Sequence, residues 1–353
     1  MGEFHPTSDR GPDEIGLEKI LLFPEKLSSL QKNLTDVDPL YPVSVELSLT
    51  SRCNLKCVWC SDLLLRELCP DRLSLDVLGR LFVDLAKGGT RGVTIEGGGE
   101  PTISPFFQKA ATLAAEAGLS VGLITNGTAL FNASRSKDFY SLFQWVRLSL
   151  DASCAEDYLL LKGRDCYQDV LKSLSVLANL KSPPTLGVGY VLTNRNDSPE
   201  PLEKLALDLR RLGVNYLHLR PVVDHPELVS LKSTRRLKEL ESPHFHVNTG
   251  AMTDNQGQGN DGLPCLAHSL SAVITADGSV WLCGRLNVDP STGSMGNITV
   301  ERFSDVWSGE MRKRQSRRAA DGHYCLSHCP QCRMTKYNRL LYNLSRIRTR
   351  DFI

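Results

Sequence analysis

Three cysteines in the stretch SRCNLKCVWCSD, residues 51–62, constrain this chain more than any other feature. Cys53, Cys57 and Cys60 stand at C-x3-C-x2-C spacing, three thiols within eight residues. Three thiolates so placed can reach three irons of one cubane iron–sulfur cluster, and the fourth iron is left open to a substrate or cosubstrate. Structural zinc is one alternative, but zinc takes four Cys or His ligands, and no fourth stands near this loop. Core cysteines are another, against which Asn54, Lys56 and Ser61 make the segment polar and loop-like.

The surrounding pattern places that loop. Val43–Leu49 (VSVELSL) alternates as a strand does and ends at Thr50. The cysteines therefore leave the carboxyl end of a first strand, where parallel α/β folds put their chemistry. One unit then repeats. Helices are expected at Leu73–Ala86, Phe106–Ala117, Phe139–Phe143 (short), Tyr167–Leu180 and Pro201–Leu212. Strands are expected at Gly92–Glu96, Val121–Thr125, Trp145–Leu150, Leu186–Leu192 and Tyr216–Leu219. Glycine or proline stops most of the helices, and the alternation predicts a parallel sheet with right-handed crossovers. The bare pattern fits a doubly wound sheet equally well.

The strand ends carry further polar and glycine-rich groups. Glu96-Gly97-Gly98-Gly99-Glu100-Pro101 follows the second strand, and Thr125-Asn126-Gly127 the third. Ser149 and Asp151 end the fourth strand; His218 and Arg220, on one face, end the sixth. With Asn54 and Trp59 inside it, the cysteine loop resembles that of the radical S-adenosylmethionine (SAM) superfamily, and the glycine run resembles that family's GGE motif. The resemblance implies an open, partial (β/α)6 barrel and a catalytic [4Fe–4S] cluster on Cys53, Cys57 and Cys60, whose fourth iron takes the amino and carboxylate groups of SAM. It implies that Gly97, Gly98, Gly99 and Glu100 meet the SAM ammonium, that Asn126, Ser149 and Asp151 meet its ribose or carboxylate, and that Trp59 lies with the cofactor. Arg220 suits SAM or an anionic substrate through its rigid donor fork. An Asx turn is the structural alternative for Asp151. Glu96 either faces the substrate cavity or pairs with an arginine, and His218 and Asp224 are substrate candidates. Gly187 and Gly189 would leave room for adenine.

A second cysteine group follows a Gly-rich linker, TGAMTDNQGQGNDG at 249–262. Cys265…Gly278-x4-Cys283 surrounds a hairpin signal at Ala276–Ser279, and Cys325, Cys329 and Cys332 follow in HYCLSHCPQCRM. This resembles the auxiliary-cluster extensions called SPASM and twitch domains. Five cysteines after residue 264 argue for one auxiliary [4Fe–4S] cluster, held by Cys265, Cys283, Cys329 and Cys332 with Cys325 as the spare or a substitute, and four-thiolate zinc is the rival. The expected division is an N-terminal arm at 1–42, the barrel at 43–248 and the auxiliary domain, a β-hairpin plus helices, at 249–353. A basic amphipathic tail helix is expected at Lys336–Arg350.

Bulk properties exclude little else. The 41 basic and 40 acidic residues nearly cancel, so no bulk nucleic-acid binding is expected. No apolar run reaches the roughly 18 residues of a membrane span, and no targeting signal is evident, so a cytoplasmic enzyme is expected. Cys69, Cys154 and Cys166 read as bystanders. The resemblance implies reductive cleavage of SAM to a 5′-deoxyadenosyl radical, with an electron donor such as flavodoxin or ferredoxin. The strand-end groups and a front arm of some forty residues favour a small polar substrate (a sugar, aminocyclitol or nucleotide-linked compound) and net dehydrogenation in a biosynthetic pathway. A peptide or protein maturase, or a redox-neutral epimerase, cyclase or carbon–carbon bond-forming enzyme, is the alternative. A non-enzymatic iron–sulfur scaffold would leave the glycine motif unexplained.

Overall fold

The computed structural model describes residues 17–32, 37–131, 136–223, 225–249, 262–287, 293–322, 324, 329 and 332–347. Its strands are β1 (Ser44–Leu47), β2 (Gly92–Ile95), β3 (Ser120–Thr125), β4 (Trp145–Ser149), β5 (Thr185–Leu192), β6 (Tyr216–Pro221), β7 (His246–Asn248), β8 (Ser271–Ile274), β9 (Ser279–Trp281) and β10 (Gly296–Asn297). Its helices are α1 (Pro24–Lys32), α2 (Leu63–Leu68), α3 (Leu75–Gly88), α4 (Phe107–Glu116), α5 (Ala155–Lys162), α6 (Tyr167–Ala178), α7 (Pro199–Arg211), α8 (Arg235–Lys238), α9 (Phe303–Ser308), α10 (Glu310–Ala319) and α11 (Thr335–Ser345). None is long and apolar enough to cross a membrane.

Contacts divide the chain into two compact units. The first comprises Leu17–Asn54, Cys60–Ile124 and Asp254–Ile353, and its strands run in the order β10-β9-β8-β1-β2-β3. Strand β1 buries Val45 and Leu47 and turns Glu46 toward the other face. It pairs in parallel with β2 on one side and with β8 on the other. The predicted C-terminal hairpin exists, β8 against β9, turning through Gly278 at φ +86°. It does not stand apart as a separate layer: through β8 it extends the sheet that β1 begins. The compact units accordingly do not follow the boundaries at 42 and 248. The front arm is equally integrated. A 3-10 turn at Leu17–Leu22 leads into α1, and Ile20 and Leu30 share a buried cluster with Leu266, Leu270 and Leu341. Helix α3 forms as its sequence dictates: the Ser74 side chain accepts from Val77 N at 3.3 Å, and Gly89 at φ +96° closes the other end.

The second unit comprises Leu55–Trp59 and Thr125–Thr253 and holds β4-β5-β6-β7, all parallel. The predicted strands and the long predicted helices form, with ends shifted by one or two residues; β6 runs on to Pro221. The short helix expected at Phe139–Phe143 is a 3-10 turn, Lys137–Leu142. Helices α2, α5 and α8 and strands β7 and β10 were not foreseen. Helix α5 hides because Tyr158, Leu159, Leu160 and Leu161 form one continuous apolar run rather than a stripe separated by polar residues, and Leu160 remains 70% exposed. The tail helix appears as α11, with residues beyond 347 outside the described set.

Candidate cluster and SAM site

In the first unit the chain leaving β1 is tied down before it reaches Cys53. Asp71 accepts from Thr50 Oγ1 at 2.6 Å and from the Ser51 amide at 2.7 Å. The glycine run closes over the same backbone. Gly99 N donates to Thr50 O at 2.9 Å and Glu100 N to Arg52 O at 2.8 Å. A Cβ on Gly99 would lie 1.8 Å from Arg52 O, so no other residue fits without moving the loop. Gly97 and Gly98 hold φ of +67° and +58°, the left-handed region that glycine enters without strain. Asp62, two residues past Cys60, accepts from Gly98 N at 3.2 Å. The cysteine loop is thus fastened to the glycine run at both of its ends. Glu100, 3% exposed, bonds Thr102 through its carboxylate and caps the turn Pro101–Ile103. The carboxylate expected to meet the SAM ammonium also holds that cap. Arg66, on α2, donates to Cys60 Sγ at 3.9 Å.

Cys57 belongs to the second unit, where Leu55–Trp59 lies along the end of α5. Lys56 N donates to Lys162 O at 2.9 Å and Val58 N to Leu161 O at 3.0 Å. The Lys162 ammonium is ion-paired with Asp151, both side chains at most 3% exposed, and sits 5.6 Å from the Trp59 ring centroid. Burial works against that charge, but Asp151 and the Cys57 thiolate outweigh it and hold the ammonium above its ordinary pKa. Asp151 adopts φ +57°, the one described non-glycine residue in the left-handed region. Its other carboxylate oxygen accepts from Val191 N at 2.5 Å, and its carbonyl accepts from Asn196 Nδ2 at 2.8 Å. Asp151, expected to touch SAM, also anchors Lys162 within the fold. Asn126 also turns inward, its Oδ1 accepting from Thr128 N at 3.0 Å. Trp59 packs with Leu161, Val222 and Leu228.

On one partly buried face of β4, β5 and β6 three basic groups gather. Arg147 Nη1 lies 3.1 Å from His218 Nδ1, and the Arg220 guanidinium rests against Gly189, whose absent Cβ would meet it at 3.4 Å. The shared face of His218 and Arg220 was legible; Arg147 was missed, although it stands two residues before Ser149 on that strand. Ser149 is half-buried beside Gly189. Room for adenine over Gly187 is not there, because the Tyr216 ring lies 2.0 Å from where a Cβ would stand. Asp224 lies outside the described residues.

The second cysteine group lies in the first unit. Cys265, Cys283, Cys329 and Cys332 are free thiols, each partly buried. Burial pushes the Cys332 thiol up, Cys283 and Cys329 add to it, and the Met334 amide opposes it. The Asn338 amide reaches both Cys265 and Cys332. Four thiols converging beside the start of α11 suit an iron–sulfur cluster, and Cys325 lies outside the described residues. Among the described residues no three His, Cys, Asp or Glu are gathered tightly enough to clasp a single ion. Arg333, next to Cys332, donates to Glu46 of β1 at 2.8 Å. Burial opposes its charge, yet Glu46, Cys283 and Glu96 hold the guanidinium above its ordinary value. Of the two roles expected for Glu96, the arginine partner is the one with electrostatic support.

Comparison with known proteins agrees with this geometry. Residues 47–220 match the family model of the radical SAM superfamily, and residues 265–333 match SPASM, an iron–sulfur cluster-binding domain. The AdoMet-dependent heme synthase of Methanosarcina barkeri is 24% identical over 75% of this chain and 82% of its own length. The PqqA peptide cyclase of Rhodopseudomonas palustris is 38% identical over a shorter stretch, 25% of this chain and 23% of the relative. Among solved structures, Streptococcus suis SuiB bound to its precursor peptide SuiA superposes with a TM-score of 0.62 at 17% identity, covering 89% of this chain and 76% of SuiB. With its cysteine loop locked to a glycine run and a second group of thiols later in the sequence, the chain belongs to the radical SAM superfamily: an enzyme of [4Fe–4S] cluster and SAM, with a C-terminal SPASM iron–sulfur domain.

Proposed function

We propose that this enzyme modifies a peptide or protein, removing a hydrogen atom from an unactivated carbon of a residue presented to the barrel. The observation that carries this reading is the likeness to peptide-bound SuiB, which runs through both the barrel and the auxiliary segment. The stretch shared with PqqA peptide cyclase supports it. When bound, the cluster and SAM supply the 5′-deoxyadenosyl radical that performs the abstraction. The chain's own residues hold and shield. Cys53, Cys57 and Cys60 bind the catalytic cluster; Gly97–Gly99 present backbone to SAM; Trp59, Asn126, Ser149 and Arg220 are candidate cofactor contacts. Asp151 and Glu100, also candidate contacts, shape the site through their bonds to Lys162 and Thr102. Cys265, Cys283, Cys329 and Cys332 bind one auxiliary cluster, which, being saturated by thiolates, serves to carry electrons rather than to bind substrate. A flavodoxin or ferredoxin is the electron donor.

The small polar substrate is the second reading, favoured by the heme synthase relationship along most of that relative's length and by Arg147, His218 and Arg220 on one face. Such a donor set suits an anionic or hydroxyl-rich ligand, since guanidinium groups offer rigid, charged hydrogen-bond donors. The two readings separate in one experiment. Candidate peptides and small metabolites, each deuterated at the reacting carbons, are offered to the reconstituted enzyme, and label is sought in 5′-deoxyadenosine. Transfer from peptides upholds the proposal; transfer confined to small molecules overturns it.

A further inference from the structure

Asn338 lies in the first turn of α11, fully buried, and bridges two segments that are far apart in sequence. Its Oδ1 accepts from the Ala267 amide at 2.7 Å. Because that partner can only donate, it fixes which end of the amide is oxygen. The nitrogen must face the other way, and there it meets Cys265 Sγ at 3.8 Å and Cys332 Sγ at 3.7 Å. An Asn amide nitrogen carries two hydrogens, one for each sulfur. A neutral side chain holding two thiolates contributes no charge to the cluster; its effect is directional. An electron entering an iron–sulfur cluster raises the negative charge on the sulfurs, and hydrogen bonds to those sulfurs stabilise the reduced form.

We propose that Asn338 is the positioning residue that sets the reduction potential of the auxiliary cluster. It does so by donating to Cys265 and Cys332 together while Ala267 locks its orientation. The inference rests on the auxiliary cluster and on no assumption about the substrate, so it stands or falls apart from the peptide reading. Nothing in the cysteine spacing announces it, since Asn338 is 73 residues from Cys265.

The test is an EPR-monitored redox titration of the anaerobically reconstituted full-length enzyme, in wild type, Asn338→Asp and Asn338→Leu. SAM alters the signal of the open cluster only, which tells the two clusters apart. Asn338→Asp keeps the shape and the acceptor for Ala267 but presents no N–H to sulfur; Asn338→Leu removes both functions. At full iron and sulfide content, the auxiliary cluster of Asn338→Asp should be harder to reduce. At a fixed poise its reduced-to-oxidised ratio should fall about tenfold, equivalent to ~59 mV for a one-electron couple, with the SAM-binding cluster unmoved. An unchanged auxiliary potential at full iron content overturns the proposal, as does an equal shift of both clusters. Loss of the auxiliary cluster from Asn338→Asp also overturns it, because the residue would then serve assembly. Should Asn338→Leu alone fail to assemble, Asn338→Asp decides the matter.

Discussion

Replacing Lys162 by methionine should unsettle the second unit far more than the loss of one surface lysine would. The ammonium and the Asp151 carboxylate are at most 3% exposed. Lys162→Met leaves a buried carboxylate that keeps the Val191 amide but has lost its ion-pair partner. Breaking a buried pair by removing one partner costs about 3–5 kcal/mol, because the survivor is an uncompensated charge. Asp151→Asn strands the ammonium at a similar cost, while asparagine tolerates the φ of +57° and still accepts from Val191. The double variant carries no stranded charge and should lose only about 0–2 kcal/mol. The two sites therefore couple by at least roughly 3 kcal/mol, and at ~2 °C per kcal/mol each single variant should melt roughly 6–10 °C lower. Anaerobic thermal unfolding of the four proteins measures all of this. Additive losses in the double variant would refute the reasoning.

Alanine at Cys53, Cys57 or Cys60 should abolish 5′-deoxyadenosine formation after dithionite reduction, whereas alanine at Cys265 or Cys283 should leave some uncoupled SAM cleavage without product. Full cleavage by Cys57→Ala would contradict the ligand assignment. Gly99→Ala pushes a Cβ into Arg52 O and should lower the iron content and EPR signal of the SAM-binding cluster several-fold. Gly79→Ala within α3 meets nothing within 4 Å and should keep full iron content while stabilising the helix by about 0.5–1 kcal/mol. The Cys69 thiol is pushed up to about 11, by burial first and then by Asp277. It should alkylate slowly at pH 8 and faster as pH rises toward 11, read peptide by peptide in a mass spectrometer; rapid labelling at pH 8 would contradict its assigned environment.

What the sequence by itself determined was local. The cysteine spacing, the glycine run and the Cys283 hairpin are contiguous patterns whose chemistry follows from neighbours along the chain. The periodicities of β1–β6 are local in the same way, since a strand or helix face is written every two or three to four residues. Only the tertiary structure decided the roles of residues whose partners are remote. The ion pair of Asp151 with Lys162 was written nowhere in the strand end, and Lys162 sat unnoticed at the end of an apolar run. Gly187 looked like open space until the Tyr216 ring was seen to fill it. Arg333 meets Glu46 across 287 residues of chain. Burial and pairing energies depend on what stands opposite a group in space, and the opposite strand, helix or sulfur is named nowhere in the local sequence.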